Sequence, residues 1–285
     1  MKAKQSNLWL LATLAAPIAH FCGGGWLTAL VTAAAILPLS LIGKDWSFPK
    51  SIALAQIIWL GVVAGSLLPA SAACWPSDNA LAVPLTLLTL AALTGAAKAP
   101  RIGAVLAFAM GLLALPIAVS GAANLEIRWL IITPLTWNPM LALVLLLPVL
   151  PAAGGGKGRN LLGVGILAFL LAALVQGVLS PVVAAALSDP EYQTARTLGY
   201  LEPVAAAALT LGWYAMATWL FSAAAEIARK CQMKGKLCCV LLWGMAATMV
   251  AFEWQLSATY LTGLSAVLWC LIPIFQKMKK VKNSA

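Results

Sequence analysis

A chain of 285 residues that is 62% hydrophobic and only 9% charged is not an ordinary water-soluble protein, since soluble domains carry about a quarter charged residues. Its formal net charge of +10 does not indicate a nucleic-acid partner, because the basic residues lie in short loops beside apolar segments. There they set membrane topology and contact anionic lipid. The composition therefore indicates an all-helical, polytopic integral membrane protein whose first partner is the lipid bilayer.

Basic residues occupy almost only every second gap between the apolar segments. Because lysine and arginine near membrane spans stay on the cytoplasmic side, this alternation predicts a multi-pass cell-membrane protein with both termini in the cytoplasm. Only Arg128 and Arg196 fall in the other gaps. The remaining basic residues are Lys2, Lys4, Lys44, Lys50, Lys98, Arg101, Lys157, Arg159, Arg229, Lys230, Lys234, Lys236, Lys277, Lys279, Lys280 and Lys282.

The first half of the chain is predicted to cross the membrane five times, since one crossing needs about 20 apolar residues. The first apolar run is too long for one span and is divided by Gly23, Gly24 and Gly25, which free the backbone to turn. The predicted spans lie at about 7–23, 25–43, 51–73 and 80–97, with a fifth that ends near 121.

The second half is predicted to cross five times more. Residues 122–138 read as an outer loop or an interfacial segment, because tryptophans such as Trp129 favour the headgroup level. The polar residues 188–202 form the largest predicted outer loop. The spans lie at about 139–153, 161–187, 203–228, 237–252 and 257–276, followed by a basic cytoplasmic tail at 277–285. We therefore predict a single transmembrane domain over 1–285, with halves at about 7–121 and 137–276.

Two blocks of five spans enter the membrane in opposite senses, which is the geometry of the inverted repeats of secondary transporters. Their leading helices are both interrupted: the first contains Pro17 and ends at the glycine triplet, and the sixth contains Pro139, Pro148 and Pro151. Broken helices at matching positions predict a binding site near the membrane midplane, because unwound backbone offers amide and carbonyl groups there. The alternative is the ordinary frequency of proline and glycine in membrane helices.

Three stretches of the chain resemble one family. The stretch from Pro17 to Ala29 is similar to the first hairpin of the spore germination permeases, and Leu141 to Val149 is similar to their sixth helix. The run from Leu179 through Tyr192, Arg196 and Glu202 to Trp213 is similar to their passage from helix seven into helix eight. These permeases are the B subunits of nutrient germinant receptors, within the amino acid/polyamine/organocation transporter superfamily. The resemblance implies a permease fold, a small ligand such as an amino acid, other germinant-receptor subunits as partners, and a cell or spore inner membrane location.

The broken helices and the resemblance together suggest a pocket between helices one, six and eight. His20 is a candidate for coupling or gating, because histidine titrates near neutral pH; the alternative is an interfacial histidine. Glu202 is a second candidate for coupling or gating; the alternative is a carboxylate that complements the start of the eighth helix. The candidate substrate-binding residues are Pro17, Ala19, His20, Gly23, Gly24, Leu141, Val144, Trp213 and Tyr214.

The predicted spans contain few charged residues, which favours sensing over ion-coupled transport. An acidic residue commonly found early in the family's sixth helix has no counterpart, since residues 140–143 are wholly apolar. Ion-coupled carriers use buried carboxylates or histidines, so the sequence favours a ligand-sensing, permease-like protein over an active amino acid transporter. A structural membrane subunit without a ligand is the remaining alternative. No nucleophile, phosphate-binding or metal-binding pattern occurs in the sequence, so we expect no enzyme activity, no cofactor and no metal.

A few further polar side chains lie within the predicted spans. We expect Gln56, Gln176 and Thr218 to form hydrogen bonds between helices, as such residues often do in membrane proteins. Glu226 precedes Arg229 by three residues, which predicts a local ion pair at the cytoplasmic end of the eighth helix.

Overall fold

The computed structural model describes residues 26–31, 34, 49–73, 75, 80–95, 115–131, 158–187, 190–272, 275 and 278. Every regular element within these ranges is helical, which confirms the predicted all-helical class. The predicted first and sixth spans lie outside the described residues, so the count of ten crossings and the inverted repeat stay predictions.

The residue ranges of the observed helices overlap several of the predicted spans. Residues 26–31 and 115–124 are helical, and a π-helical turn at Val267–Leu271 extends the last numbered helix. Short 3-10 turns follow the first numbered helix (Leu68–Ala72) and precede the seventh (Gly199–Leu201). The helices are α1 (Lys50–Leu67), α2 (Ala82–Gly95), α3 (Ile127–Ile131), α4 (Gly158–Leu179), α5 (Pro181–Ala186), α6 (Pro190–Arg196), α7 (Glu202–Lys230), α8 (Gly235–Ala251) and α9 (Ala258–Ala266).

Two helical stretches are long and apolar enough to cross a membrane. They are Lys50–Ala72, with an 18-residue window of mean hydropathy 2.0, and Gly199–Lys230, with an 18-residue window of mean hydropathy 1.5. Helix α7 within the second stretch is about 44 Å long at 1.5 Å per residue, whereas the hydrocarbon core of a bilayer is about 30 Å thick. By length and composition, these two stretches support a membrane location.

The exposed face of α8 is apolar as well. Leu237, Val240 and Leu241 are 56%, 61% and 61% exposed, while Leu242 and Ala246 on the opposite side are buried. A helix that is apolar on every side belongs in a protein core or in a membrane. Because one side of α8 is uncovered, lipid is the surrounding that suits it.

Helix α7 is the centre of the packed assembly. It contacts α1, α2 and α8, and α8 also packs against α1 and α2. The first turn of α7 contains Glu202 and Pro203, and its last turn contains Arg229 and Lys230. This order suits the helix, because proline is tolerated in the first turn and the charges complement the helix dipole.

Glycines bring α1 and α8 into close contact. Gly61 and Gly65 are four residues apart on α1, the spacing by which small residues let membrane helices approach each other. A Cβ atom placed on Gly65 would lie 2.8 Å from the Cβ of Met249 and 3.2 Å from the Cα of Ala246. The backbones of α1 and α8 can lie this close only because Gly65 has no side chain.

Hydrogen bonds also join α1 to α9 and its π-helical turn. The buried Trp59 donates its indole N–H to the hydroxyl of Ser265 at 2.7 Å. The buried Gln56 donates from Nε2 to the carbonyl of Leu268 at 3.1 Å, within the π-helical turn. The predicted interhelical role of Gln56 is thereby confirmed, and the π-turn, a rare element that usually occurs as a single bulge, receives a side-chain partner.

The predicted seventh span at 161–187 is interrupted. Helix α4 ends at Leu179, and Ser180 adopts a positive φ of 69° before Pro181 begins α5. Proline has no N–H to continue the helix and disfavours helical geometry in the residue before it, so the chain turns here. The Ser180 hydroxyl accepts a hydrogen bond from the Val183 N–H at 3.4 Å.

The predicted outer loop at 188–202 is not an extended surface loop. Most of it is helix α6 and the 3-10 turn that leads into α7. Within α6, Glu191, Tyr192 and Thr194 are buried, because α6 packs against both α4 and α7. Sequence polarity indicated a loop, but a polar segment can be buried where the surrounding helices supply hydrogen-bond partners.

Candidate functional site

Helix α6 places a polar segment inside an apolar helical assembly. Glu191 is 1% exposed, and it is the only buried acidic residue among those that the structure describes. Burial of a carboxyl group is costly unless it has polar neighbours, and in membrane proteins such groups mark functional sites. The segment around α6 is therefore the strongest candidate site in the described part of the chain.

Local sequence explains why α6 is helical. Pro190 opens the helix, Glu191 lies in its first turn and Arg196 in its last, which is the arrangement that the helix dipole favours. The hydroxyl of Thr194 donates to the carbonyl of Pro190 one turn earlier, at 2.8 Å. Thr194 thus satisfies its own polar group within the helix.

The C-terminal end of α6 is anchored by hydroxyl groups. The Thr194 carbonyl accepts hydrogen bonds from Ser120 at 2.8 Å and from Thr197 at 2.7 Å. The hydroxyls of Ser120 and Thr197 are themselves 2.5 Å apart. The last carbonyls of a helix have no partner within the helix, so the segment at 115–124 supplies one and fixes the position of α6.

Three side chains meet where α6 approaches the start of α7. The Tyr192 hydroxyl donates to the Glu202 carboxylate at 2.5 Å, and the Arg196 Nε lies 3.6 Å from the same oxygen. The Arg196 and Glu202 side chains are 58% and 36% exposed, so both are accessible from the surface. We call Tyr192, Arg196 and Glu202 the α6 cluster.

Glu202 was considered either as a coupling or gating residue or as a carboxylate that complements the start of a helix, and its position bears on both hypotheses. It lies in the first turn of α7, where its charge complements the helix dipole. Its carboxylate is also held by two side chains of α6, so it joins two helices as well as complementing one.

Arg196 and Arg128 were the two basic residues outside the alternating loops, and each is paired with a glutamate: Arg196 with Glu202 and Arg128 with Glu126.

Chemically, the α6 cluster offers both signs of charge at one surface site. A guanidinium binds a carboxylate through planar, bidentate hydrogen bonds. A glutamate carboxylate and a tyrosine oxygen accept hydrogen bonds from an ammonium group. The cluster is therefore chemically complementary to a small molecule that carries both an acidic and a basic group.

Trp213 and Tyr214 lie elsewhere on α7. Trp213 is 4% exposed and belongs to the core, whereas the Tyr214 hydroxyl donates to the Thr94 hydroxyl on α2 at 2.9 Å. The Thr218 hydroxyl is 3.4 Å from the same Thr94 oxygen, which confirms that Thr218 contacts another helix. Tyr214 lies twelve positions after Glu202 on α7, about 18 Å away along the axis at 1.5 Å per residue, so the structure does not bring these two candidates together.

The other sequence-predicted site residues lie outside the described part of the chain, and the pocket between the broken helices stays a prediction. They are Pro17, Ala19, His20, Gly23, Gly24, Leu141 and Val144. Trp26, which follows the glycine triplet, is described. Its indole N–H donates to the Leu130 carbonyl at 3.0 Å.

Gln176 links Trp26 to the remainder of the assembly. Its side-chain oxygen accepts from the Trp26 backbone N–H at 3.3 Å, and its amide nitrogen donates to the Trp129 carbonyl at 2.6 Å. The predicted helix-linking role of Gln176 is therefore confirmed. Glu226 and Arg229 form the predicted local ion pair at 2.7 Å.

The sequence contains a signal for α6 that a reading by polarity misses. Pro190 and Arg196 occupy the positions of a first helical residue and a basic last turn. What no local pattern shows is that Ser120, from a different part of the chain, donates a hydrogen bond to the backbone of this helix.

Within the described ranges, no group of three or more histidine, cysteine, aspartate or glutamate side chains is placed to hold a metal ion. No protein-family model matches this chain, and no curated protein sequence matches it.

Proposed function

We propose that this chain is a permease-like membrane protein that binds a small zwitterionic nutrient such as an amino acid, and that the α6 cluster takes part in its recognition. The observation that carries the proposal is the exposed Arg196–Glu202 pair, beside Tyr192. A free amino acid carries a carboxylate and an ammonium group, and Arg196 and Glu202 are their chemical complements.

The predicted orientation supports the same role. The far end of α7 leads into a loop with four basic residues and no acidic one between Arg229 and Lys236, which the positive-inside rule assigns to the cytoplasm. Glu202 at the start of α7 then lies on the opposite side, where a nutrient arrives.

Sensing fits the charge distribution better than ion-driven transport. From Pro203 to Ala225, α7 contains no charged residue, whereas ion-coupled carriers place ionisable groups within the membrane. The resemblance to the spore germination permeases supplies the biological context, namely the nutrient-sensing subunit of a germination receptor in the cell or spore inner membrane, with the other subunits as partners.

Active amino acid transport is a second candidate function, because one observation favours it. The carboxyl group of Glu191 is buried within α6, and buried carboxyl groups are the usual proton carriers of ion-coupled transporters. Uptake of radiolabelled amino acids into proteoliposomes distinguishes the two functions: accumulation that is lost in Glu191→Gln supports transport, and binding without accumulation supports sensing.

The binding experiment uses purified protein in lipid nanodiscs and a panel of amino acids. We expect at least one of them to raise the melting temperature, and Arg196→Gln to weaken its binding about tenfold or more, since hydrogen bonds to charged groups contribute about 1.5–3 kcal/mol. Arg128→Gln is the matched control, because Arg128 is also an exposed arginine paired with a glutamate. Absence of a shift with every amino acid, or equal losses in the two variants, refutes the proposal.

A further inference from the structure

A groove runs between α2 and α8 on the outside of the helical assembly. Its volume is about 620 Å³, within the range of about 300–1,000 Å³ that is usual for small-ligand sites. Most of its lining is apolar, with one cationic side chain. The residues that line it are Thr89, Ala92, Leu93, Lys236, Cys239, Val240 and Trp243.

The groove has two different ends. Lys236 lies in the first turn of α8 and is exposed. Trp243 lies seven residues further along α8 and donates its indole N–H to the Thr89 hydroxyl of α2 at 3.1 Å. This hydrogen bond joins the two helices at the end away from Lys236, so the groove has a cationic end and an end bridged by the indole.

The groove is short enough to lie within one leaflet of a bilayer. The seven helical steps from Lys236 to Trp243 span about 10 Å along the helix axis, and half of the hydrocarbon core is about 15 Å thick. Leu93 and Val240 at the sides of the groove are 68% and 61% exposed. An occupant must therefore be apolar along its length and continuous with the surrounding lipid.

The positive charge at the Lys236 end of the groove favours an anionic headgroup. The loop from Arg229 to Lys236 contains four basic residues and no acidic one, and Arg229 is paired with Glu226. Neither Lys234 nor Lys236 forms a salt bridge with the residues that the structure describes. Basic clusters of this kind attract anionic headgroups, and a lysine stem can lie along the apolar groove with its ammonium group at the interface.

We propose that this groove is a binding site for an anionic phospholipid of the cytoplasmic leaflet. One acyl chain lies between α2 and α8 against Trp243, and the phosphate binds Lys236 with Lys234 beside it. The site is separate from the α6 cluster and does not depend on nutrient binding, because it lies near the opposite end of the assembly in the predicted topology.

The test is native mass spectrometry of detergent-purified protein, incubated with equal amounts of phosphatidylglycerol and phosphatidylcholine of the same acyl chains. We expect the wild-type protein to retain one molecule of phosphatidylglycerol in preference to phosphatidylcholine. Lys236→Gln should lower that retention about fivefold, the effect of one basic residue at an anionic surface. Lys50→Gln is the control, since Lys50 is also exposed at the start of a helix.

A second pair of variants tests the acyl-chain part of the site. Val240→Trp fills the groove and should abolish preferential retention, whereas Leu241→Trp should not, because Leu241 is equally exposed on α8 but does not line the groove. Equal retention of the two lipids by the wild type overturns the proposal. So does equal behaviour of Lys236→Gln and Lys50→Gln, a comparison that remains informative if Val240→Trp does not fold.

Discussion

The Ser120 hydroxyl donates a hydrogen bond to the backbone carbonyl of Thr194 at 2.8 Å, although 74 positions separate the two residues in the chain. Ser120 is fully buried and joins the helical segment at 115–124 to α6. The position of the α6 cluster therefore depends on a residue that is distant in sequence and carries no charge.

The first prediction concerns this anchor. Ser120→Ala should lower the free energy of unfolding by about 0.5–1.5 kcal/mol, the usual net contribution of one hydrogen bond, and the Thr194 carbonyl keeps its bond from Thr197. Thermal unfolding in nanodiscs measures the change. Ser51→Ala is the control, because Ser51 is exposed; a loss of stability in the control as large as that in Ser120→Ala contradicts the prediction.

The second prediction concerns the contact between α1 and α8. Gly65→Ala should destabilise the protein by about 1–3 kcal/mol, the usual cost of overpacking, because the added methyl group meets Met249 and the backbone of Ala246. Gly244→Ala on α8 should be neutral or stabilising by up to about 1 kcal/mol, since a Cβ there has no neighbour within 4 Å. Melting temperatures of the two variants compare them directly, and the same sign of change in both would refute the packing argument.

The third prediction concerns Gln176. Gln176→Leu removes the hydrogen bonds to the backbones of Trp26 and Trp129 and should cost about 1–3 kcal/mol, because two half-buried backbone groups lose their side-chain partner. Gln255→Leu, at an exposed position, should have little effect. Hydrogen exchange should also become faster at 26–31 and in α3 only in the first variant; unchanged exchange there would show that Gln176 does not hold these segments.

The fourth prediction separates the α6 cluster from the middle of α7. Tyr214→Phe removes one interhelical hydrogen bond, worth about 0.6 kcal/mol on average in a membrane protein, and should leave amino acid binding unchanged. Isothermal titration calorimetry of the folded variant measures the binding. A strong loss of affinity would instead favour the midplane pocket suggested by the sequence. Trp213→Ala is a poorer probe, because removal of a buried tryptophan costs about 3–5 kcal/mol.

The fifth prediction concerns orientation. In a variant without native cysteines, Tyr200→Cys should react with a membrane-impermeant maleimide in intact cells, because Tyr200 is 75% exposed and precedes the predicted outer end of α7. Met278→Cys, at an exposed position in the predicted cytoplasmic tail, should react only after the cells are permeabilised. The reverse pattern would invert the topology. Reaction of both variants in intact cells would contradict the three predicted crossings between the two positions, because an odd number of crossings places them on opposite sides of the membrane.

The sequence predicts best those features that depend on local composition. Helix α7 was predicted at 203–228 and spans Glu202–Lys230, and α8 was predicted at 237–252 and spans Gly235–Ala251. Long apolar runs between basic loops leave little choice of boundary.

Features that depend on contacts between distant segments were not predictable in the same way. Glu191 is buried because α6 packs against α4 and α7. Ser120 donates a hydrogen bond to the same helix from 74 positions before Thr194. The π-helical turn after α9 has its side-chain partner in Gln56 of α1, 212 positions away. The break at Ser180 had a local signal in Pro181, but proline is common enough in membrane helices that the signal alone did not decide the boundary.

The glycine contact between α1 and α8 has a mechanical consequence. Helix α1 lies in the first predicted half of the chain and α8 in the second, and at Gly65 they touch almost backbone to backbone. Secondary transporters rock one half against the other as rigid bodies. Such a movement could not bring α1 and α8 closer at Gly65, because their atoms are already in contact there. If the two predicted halves move relative to each other, the contact between α1 and α8 is therefore where that movement is smallest.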